Sequence, residues 1–410
     1  MKSYVIAGNG TAAVGCIEGI RSVDPEGSVT VLSGEDRPAY CRPLISYFLE
    51  GRTDERRMLY RAPDFYEKNG CRVLYGVKAQ GLDPAGRTVS LSDGASLPWD
   101  ALCVATGSSP FVPPMEGIET VPNRFSFLTL ADALALKAAV TPESRVLIIG
   151  AGLIGLKCAE GLHGLVKHIT VADLADRVLS SILDADGAAV AQSALVKAGL
   201  TLLLGDSVAR FEGRTAFMKS GVAVDFDILV TAVGVRPNTG LVRDAGGAVG
   251  RGITVNERME TSLPGVYAAG DCTESTDISD GKKKIMALMP NAYLQGFAAG
   301  VNMAGGDKVF DNAIPMNSIG FFGCHIMTAG SRGDTLVDLV TPDSVKKLYT
   351  DGTRLTGFEI IGDVRNTGIY TKLVRTRADI TALDPENMKK TPDLSLFAAK
   401  DRHRMLGGVV

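Results

Sequence analysis

Short apolar runs and helical patterns alternate along the first part of the chain. Residues 4–7 form an apolar run typical of a buried strand, residues 14–22 follow with helical spacing, and residues 29–33 form a second apolar run. The same order returns at residues 145–173, where a helical pattern is again flanked by two apolar runs. Buried strands that alternate with helices predict parallel sheets, so the expected fold class is α/β.

A glycine-rich turn joins the first strand to the helix in each of these units. Residues 8–13 (GNGTAA) have the GxGxxA spacing, and residues 150–155 (GAGLIG) have the GxGxxG spacing. Glycines there let the backbone approach a pyrophosphate, whose charge the free N–H groups of the helix N-terminus attract. Each unit therefore predicts a dinucleotide-binding site.

An acidic residue follows the second strand of each unit. Glu35 lies just beyond the strand at 29–33, and Asp173 ends the strand at 168–173. A carboxylate at this place accepts hydrogen bonds from a ribose and repels a 2′-phosphate, so Asp173 favours NADH over NADPH. Arg177 lies nearby and weakens that preference, which leaves NADPH as the less favoured alternative.

Later segments predict the order of domains. Apolar strands at 100–108 and 227–238 follow the two units, and a strand at 265–271 ends in Gly-Asp before a helix that opens near residue 290. From about residue 314, strands and helical pieces alternate in the manner of an α+β domain. We predict a discontinuous first domain at 1–112 and 240–311, a second domain at 113–239, and a C-terminal α+β domain at 312–410.

The overall composition argues against several classes of protein. The 410 residues carry a net charge of −3, whereas a nucleic-acid partner calls for a basic face. No apolar run reaches the ~18–20 residues of a membrane-spanning helix. The first residues enter a strand pattern without a cleavage-site signature, so a cytoplasmic location is expected. Seven widely spaced cysteines without a CxxC pair, and four histidines without ligand spacing, predict no metal site.

Four motifs in this order resemble the flavoproteins of the pyridine nucleotide–disulfide oxidoreductase superfamily: the two glycine turns, the Ala-Thr-Gly strand end at 105–107 and the Gly-Asp strand end at 270–271. Within that superfamily, residues 38–47 (PAYCRPLISY) and 291–296 (NAYLQG) resemble NADH:rubredoxin reductases, ferredoxin reductases and the flavin domain of nitrite reductase large subunits. The resemblance implies two Rossmann-like domains, one for FAD and one for NAD, besides the C-terminal α+β domain.

The resemblance also implies an activity and a partner. An enzyme of this kind passes electrons from NADH through flavin to a separate acceptor, here expected to be a rubredoxin, a ferredoxin or an iron–sulfur subunit. In relatives the C-terminal domain caps the flavin or mediates dimerisation, so a homodimer is one expected assembly.

The same resemblance implies which residues hold the two cofactors. The FAD pyrophosphate is expected on the first glycine turn, its adenosine ribose on Glu35 and its ribityl chain on Asp271. The helix near residue 290 is expected to point its N-terminus at the flavin, where its dipole favours negative charge. The full FAD set is Gly8, Gly10, Thr11, Ala12, Ala13, Glu35, Arg42, Pro43, Ala79, Ala105, Thr106, Gly107, Gly270, Asp271, Asn291 and Ala292. The full NADH set is Gly150, Gly152, Leu153, Ile154, Gly155, Asp173 and Gly234.

Two of the three candidate catalytic residues are cations. Arg42 is one, because the arginine of the Tyr-x-Arg-Pro segment lies along the flavin in relatives. Relatives also place a lysine at the position of Tyr47 and a glutamate at that of Lys157, paired near flavin N5. Here the cation stands on the NAD side instead, so we expect a lone buried Lys157 near N5. The alternative is a lysine that extends to solvent.

Cys41, the third candidate, supports a different activity. Some branches of the superfamily carry one redox cysteine on the helix after the first unit, and a helix N-terminus lowers a thiol pKa. On this alternative the enzyme uses Cys41 to reduce a disulfide, a peroxide or O2, although the residues around Cys41 favour a structural role. The departures at Tyr47 and Lys157 leave open a further alternative, a flavin-bearing subunit or sensor of a larger redox complex.

Overall fold

The computed structural model describes residues 1–397 and residue 402. Residues 398–401 and 403–410, which belong to the predicted C-terminal domain, lie outside the described residues. The strands up to residue 112 are β1 (Ser3–Ala7), β2 (Ser28–Ser33), β3 (Cys71–Tyr75), β4 (Ala79–Asp83), β5 (Thr88–Leu91), β6 (Ser96–Pro98), β7 (Ala101–Val104) and β8 (Ser108–Pro110). The helices of this segment are α1 (Thr11–Arg21), α2 (Ile45–Leu49), α3 (Glu55–Met58) and α4 (Phe65–Lys68).

The middle and last segments follow in chain order. Residues 113–239 contain β9 (Arg124–Phe125), α5 (Leu130–Ala139), β10 (Arg145–Ile149), α6 (Leu153–Leu162), β11 (His168–Asp173), α7 (Ala185–Lys197), β12 (Thr201–Leu204), β13 (Val208–Glu212), β14 (Thr215–Met218), β15 (Ala223–Asp225), β16 (Ile228–Thr231) and β17 (Val235–Pro237). Residues 240–311 contain α8 (Gly240–Arg243), β18 (Ile253–Thr254), β19 (Val266–Ala268), β20 (Thr273–Thr276), β21 (Lys283–Lys284) and α9 (Met289–Met303). The rest contains β22 (Met316–Phe321), β23 (Cys324–Gly330), β24 (Asp334–Thr341), β25 (Ser344–Thr350), β26 (Leu355–Ile361), α10 (Gly368–Thr376) and α11 (Pro385–Met388).

The first sheet is parallel throughout and has the strand order β19-β7-β1-β2-β3. β19 comes from the segment after residue 240, so the chain returns to this sheet after building a second one. α1 and α9 pack against each other with their backbones in contact. A Cβ added to Gly15 would lie 2.3 Å from the Tyr293 carbonyl oxygen, and one added to Gly296 would lie 2.0 Å from that of Ala12. Small residues at these crossings are therefore needed for the two helices to meet.

The second sheet is also parallel, with the order β12-β11-β10-β16-β9. Its helix α6 confirms the helix predicted after the second glycine turn. β8 and β17 pair with each other antiparallel and carry the chain between the two sheets. Each parallel sheet has a three-stranded antiparallel meander beside it, β4-β5-β6 and β13-β14-β15. The predicted α/β class with two parallel sheets is confirmed.

The C-terminal residues form one antiparallel sheet in the order β22-β23-β26-β25-β24. α10 packs on it, and the buried ring of Tyr370 lies 6.0 Å from that of Phe358. The α+β character predicted after residue 314 is confirmed, as are strands at the predicted positions of β24 and β26. The residues at which one domain gives way to the next stay a prediction.

A cluster of charged side chains fastens the C-terminal sheet to α7. The Lys347 Nζ lies 2.6 Å from Asp184 Oδ2 and 2.5 Å from Asp186 Oδ2. Glu359 is only 2% exposed, accepts the Asp184 backbone N–H at 3.2 and 3.3 Å, and lies 3.3 Å from the Arg332 guanidinium. Burial, helped by the Asp184 charge, raises the pKa of Glu359 to about 7.

This raised pKa predicts a stability that depends on pH. Because the folded-state pKa of Glu359 exceeds its unfolded value, its contribution is full below about pH 4.3 and is lost as pH rises through about 7. We expect the free energy of unfolding to fall by roughly 1–1.5 kcal/mol between pH 6 and pH 8.5 on account of this group. Urea titrations should show a flatter pH dependence in Glu359→Gln and the wild-type slope in Glu386→Gln, an exposed carboxylate. A wild-type slope in Glu359→Gln contradicts the prediction.

Candidate functional site

The first glycine turn lies at the carboxyl end of β1. Gly8 has φ +123°, and a Cβ there would lie 2.0 Å from the Ala105 carbonyl oxygen, so a side chain has no room. A Cβ added to Gly10 would meet nothing within 4 Å. Open space therefore lies above the N-terminus of α1, whose first residues are Thr11, Ala12 and Ala13. A pyrophosphate approaching from that side would meet free backbone N–H groups.

The second turn repeats this geometry at the carboxyl end of β10. A Cβ added to Gly150 would lie 2.3 Å from the Ala232 carbonyl oxygen, whereas one added to Gly152 would meet nothing within 4 Å. Gly155 packs on the turn itself, and Gly234 also faces open space. Leu153 and Ile154 begin α6. The residues predicted for NADH thus surround one open helix N-terminus.

Asp173 closes this second turn from the end of β11. Its Oδ2 accepts the Ala151 N–H at 2.6 Å, and its Oδ1 accepts the Ala175 N–H at 2.8 Å. These two bonds hold the carboxylate beside the glycine turn. Since a carboxylate has about four acceptor positions, capacity remains for a ribose hydroxyl.

Asp271 lies where β19, α1 and α9 meet. A Cβ added to the preceding Gly270 would lie 3.0 Å from the Ala12 Cβ and 3.6 Å from the Ala292 Cβ. No side chain or N–H among residues 1–397 donates a hydrogen bond to the Asp271 carboxylate, and burial raises its pKa above the ordinary value. Asn291 is 1% exposed and gives its amide N–H to the Ile314 carbonyl, while its Oδ1 lacks a partner. Unpartnered oxygens beside an open helix N-terminus fit a ligand that offers hydroxyl donors, such as the ribityl chain of FAD.

The remaining predicted FAD residues lie on several other elements of the fold. Thr106 donates its hydroxyl to the Asn238 carbonyl at 2.8 Å, and Gly107 has φ +64° with open space around it. Pro43 lies in a short 3₁₀ turn, Arg42–Leu44, before α2. Ala79 begins β4 in the meander that follows the first sheet.

Glu35 and Arg42 form an ion pair. The Arg42 Nη2 lies 2.6 Å from Glu35 Oε1, and its Nη1 donates to the Leu128 carbonyl at 3.3 Å. The Tyr40 hydroxyl donates to Glu35 Oε2 at 2.8 Å. The Arg42 charge also partly offsets the raised pKa of Asp271. Arg42 therefore lies between the two carboxylates predicted for the opposite ends of the flavin nucleotide.

Cys41 is set in apolar surroundings. Its Sγ lies 3.9 Å from the Met289 Sδ, and burial raises the pKa of the Cys41 thiol. A reactive cysteine requires the opposite shift, because the thiolate is the nucleophile. The geometry gives no support to the alternative in which Cys41 reduces a substrate.

Lys157 differs from both expectations. Its side chain is 16% exposed, so it does not extend to solvent, and it pairs with Glu160 one turn along α6, so it is not a lone cation. The Nζ also donates to the Gly320 carbonyl at 3.1 Å and lies 4.4 Å from the centroid of the Tyr47 ring. Glu160 in turn accepts the Phe322 N–H at 3.3 Å. Lys157 is therefore neither a lone cation nor a lysine that extends to solvent, because its partners come from the next helical turn and from the β22–β23 hairpin. Its placement near flavin N5 stays a prediction.

Further polar contacts around the first turn were missing from the predicted set. The Tyr66 hydroxyl donates to Asn9 Oδ1 at 2.6 Å and accepts the Ala39 N–H at 3.1 Å, which fixes the turn. The Gln295 Oε1 accepts the Gly270 N–H at 2.7 Å. Gln295 lies in the NAYLQG segment and could have been found there, whereas Tyr66 has no sequence signal.

The described part of the chain has neither a membrane-spanning helix nor a metal-binding cluster. None of the helices in residues 1–397 is long and apolar enough to cross a membrane. Over the same described residues, no group of three or more histidine, cysteine, aspartate or glutamate side chains is arranged to hold a metal ion. All seven cysteines are unpaired.

Two glycine turns on two parallel sheets, with an unpartnered Asp271 beside the first, are the arrangement that the sequence motifs predicted. The family model for pyridine nucleotide-disulphide oxidoreductases matches residues 2–296. The chain belongs to this family. The superfamily predicted from the sequence is therefore confirmed.

Two relatives support the same assignment, and one solved structure matches the fold. The chain is 32% identical over 395 residues to the NADH-dependent phenylglyoxylate dehydrogenase subunit epsilon of Aromatoleum evansii, a match that covers 93% of each protein. It is 32% identical over 311 residues to a probable ferredoxin reductase of Castellaniella defragrans, covering 74% of this chain and 76% of that protein. Its fold matches the crystal structure of the covalent putidaredoxin reductase–putidaredoxin complex with a TM-score of 0.87 and 23% identity, over 99% of this chain and 98% of the other.

Membership settles the cofactor classes. The family is FAD-dependent, and its members use NADH or NADPH as the electron donor. The chain is an NAD(P)H-dependent flavoprotein oxidoreductase. The open turns and the Asp271 carboxylate fit these cofactors, and the individual residues predicted to bind them stay a prediction.

Proposed function

We propose that this protein takes electrons from NADH and passes them, through FAD, to a small redox protein of the rubredoxin or ferredoxin type. The observation that carries the proposal is the pair of glycine turns with open space above them. Asp173 is hydrogen-bonded to one turn, and the unpartnered Asp271 lies beside the other. The 32% identity to a probable ferredoxin reductase supports the kind of acceptor.

In this proposal each half of the site has its own task. Bound FAD supplies a two-electron acceptor for NADH that can also release electrons one at a time. Asp271 accepts hydrogen bonds from the ribityl hydroxyls, and Glu35 accepts them from the adenosine ribose. The N-terminus of α9 offers positive potential to a flavin that carries negative charge. Asp173 accepts a bond from the NADH ribose and disfavours a 2′-phosphate, so NADH is preferred to NADPH.

The experiment that tests the proposal is steady-state NADH oxidation by the purified flavoprotein with a panel of acceptors. The panel contains rubredoxin, ferredoxin, a quinone, a disulfide and O2. We expect turnover to be fastest with one of the two iron–sulfur carriers. Faster turnover with the disulfide or with O2 contradicts the proposed acceptor. It would favour the alternative in which Cys41 reduces the substrate.

Lys157 is proposed to hold the nicotinamide side of the site. Its ion pair with Glu160 and its contact with Tyr47 place a fixed cation where α6, α2 and the β22–β23 hairpin meet. We expect Lys157→Ala to raise the NADH KM about tenfold, the effect of losing one charge-assisted hydrogen bond. It should also destabilise the fold by about 3 kcal/mol, because the Glu160 side chain, only 14% exposed, is left without its partner.

A double variant separates these two effects. Lys157→Met combined with Glu160→Gln removes both charges and should recover most of the lost stability. The raised NADH KM should persist in the double variant. If the KM returns to the wild-type value together with the stability, Lys157 is a structural residue and does not contact the nicotinamide. Measuring the flavin reduction potential of Lys157→Ala and Lys157→Glu adds a readout that folding defects do not imitate.

A second candidate is a flavin-bearing subunit of a larger redox complex. This candidate is favoured by the match to a protein named as a subunit, because that match covers 93% of this chain and 93% of the relative. It predicts that the protein isolated from its source elutes with other chains in a fixed ratio, and that the separated chain turns over with no carrier of the panel. An isolated, fully active chain contradicts it.

Oligomeric state and location complete the proposal. A homodimer is proposed by analogy with relatives, and sedimentation of the flavoprotein at several concentrations tests it. A cytoplasmic location is proposed on the seven unpaired cysteines, which suit a reducing compartment. Fractionation of the source cells tests the location.

A further inference from the structure

Glu35 lies at a junction between the first and second sheets. Its two donors, Tyr40 and Arg42, also hold the N-terminus of α5 beside the second sheet. The Tyr40 hydroxyl donates to Glu35 at 2.8 Å and accepts the Leu130 N–H at 2.8 Å. Arg42 bonds Glu35 at 2.6 Å and the Leu128 carbonyl at 3.3 Å. One carboxylate is thereby connected to a helix of the other half of the molecule by two separate side chains.

The contact with Leu130 meets a need of α5. The first N–H groups of a helix have no partner within it. Thr129 and Asp132 form a capping box at this end of α5. The Leu130 N–H is not part of that box and donates to the Tyr40 hydroxyl. The hydrogen bond is buried, and a buried donor without an acceptor is destabilising. α5 therefore depends on the position of the Tyr40 hydroxyl.

Packing prevents Tyr40 from moving alone. Its side chain is 7% exposed and belongs to the apolar core that also contains Leu130, Leu136 and Val146. The Arg42 guanidinium carbon lies 5.6 Å from the centre of its ring. Interiors packed this tightly transmit a displacement of one group to its neighbours. A shift of the Glu35 carboxylate is consequently expected to displace the Tyr40 hydroxyl and, with it, the N-terminus of α5.

From these contacts we propose that Tyr40 is a positioning residue that couples FAD binding to the placement of the second domain. The Glu35 carboxylate retains acceptor positions for ribose hydroxyls beyond those that Tyr40 and Arg42 occupy. A ribose bound there orders Glu35, and Glu35 orders Tyr40 and, through it, the start of α5. The inference rests on the proposed role of Glu35 toward FAD and does not depend on the identity of the acceptor.

Hydrogen exchange and FAD titration of the apoprotein test the coupling. In the wild type, FAD should slow amide exchange in residues 128–132 at least about threefold. In Tyr40→Phe this protection should disappear, and the FAD dissociation constant should rise about tenfold to a hundredfold, as expected when a hydrogen bond to a charged group is lost. Tyr75→Phe is the matched control, because Tyr75 is 41% exposed and its hydroxyl bonds no described residue. Should Tyr40→Phe fail to fold, Arg42→Lys alters the other link, and its readout is the protection of residues 128–132 at saturating FAD, because Arg42 itself belongs to the predicted FAD set.

The outcomes separate the coupling from the site on which it rests. Wild-type FAD affinity with unchanged protection in Tyr40→Phe overturns the coupling. Glu35→Gln shows which premise is at fault. If Glu35→Gln weakens FAD binding and Tyr40→Phe does not, the ribose site stands and only the coupling falls. If Glu35→Gln binds FAD as the wild type does, the ribose assignment falls and the coupling with it.

Discussion

Replacing Asp271 with asparagine is expected to weaken FAD binding about tenfold to a hundredfold while making the apoprotein more stable. The carboxylate has no donor among the described side chains and backbone groups, and burial raises its pKa. In the absence of flavin this charge is destabilising, whereas the ribityl hydroxyls would supply its missing donors. Hydrogen bonds to a charged group contribute about 1.5–3 kcal/mol each, which gives the expected loss of affinity.

The pH dependence of apoprotein stability gives an independent check on Asp271. Because its folded-state pKa is raised, its contribution to stability is lost as pH rises through that pKa. The melting temperature of the apoprotein should therefore fall less between pH 4 and pH 7 in Asp271→Asn than in the wild type. Asp311→Asn, at an exposed position of the same segment, should match the wild type in both measurements. Unchanged FAD affinity in Asp271→Asn would falsify the assignment of this carboxylate to the flavin.

Exchanging one glycine in each turn should separate the two cofactors. Gly10 and Gly152 have extended backbone conformations that alanine adopts freely, and an added Cβ meets no protein atom within 4 Å. The methyl group would instead occupy the space through which a pyrophosphate approaches the helix. We expect Gly152→Ala to raise the NADH dissociation constant at least about tenfold with normal FAD content, which corresponds to about 1.4 kcal/mol. Gly10→Ala should lower FAD affinity by a similar factor.

The crossed pattern is what makes this pair of variants informative. Titration of each apoprotein with FAD, and of each flavoprotein with NADH, gives four affinities to compare. Gly368→Ala is the control, since Gly368 also begins a helix and faces open space. If Gly152→Ala affected both cofactors equally, the effect would be one of folding. If neither variant changed an affinity, the two turns would not be the pyrophosphate sites.

The sequence was most informative where one short segment performs one task. The glycine turns, Asp173 and the Gly270–Asp271 strand end could be predicted because their geometry is set by residues within a few positions of each other. The two parallel sheets followed from apolar runs of strand length separated by helices. Three short helices between residues 45 and 68 and the two meanders carry weaker periodicity, and they were not predicted.

Contacts between distant segments could not be derived from the sequence. Lys157 donates to the carbonyl of Gly320, and Tyr40 accepts the N–H of Leu130. Backbone groups are present at every residue, so a contact with one of them leaves no mark in the sequence. The Glu160 partner of Lys157 was different, because a spacing of three residues on a predicted helix already places the two side chains on one face.

The return of the chain to its first sheet has a consequence for synthesis. β1, β2 and β7 emerge early, yet β19, which pairs with β7, and the helix α9, which covers α1, end only at residues 268 and 303. All strands of the second sheet lie between residues 124 and 231. On the ribosome we therefore expect the segment with the second sheet to fold first, while the apolar face of α1 remains exposed to solvent. Flavin loading becomes a late step in biogenesis, at which supply of the cofactor and protection of the nascent chain limit the yield of active protein.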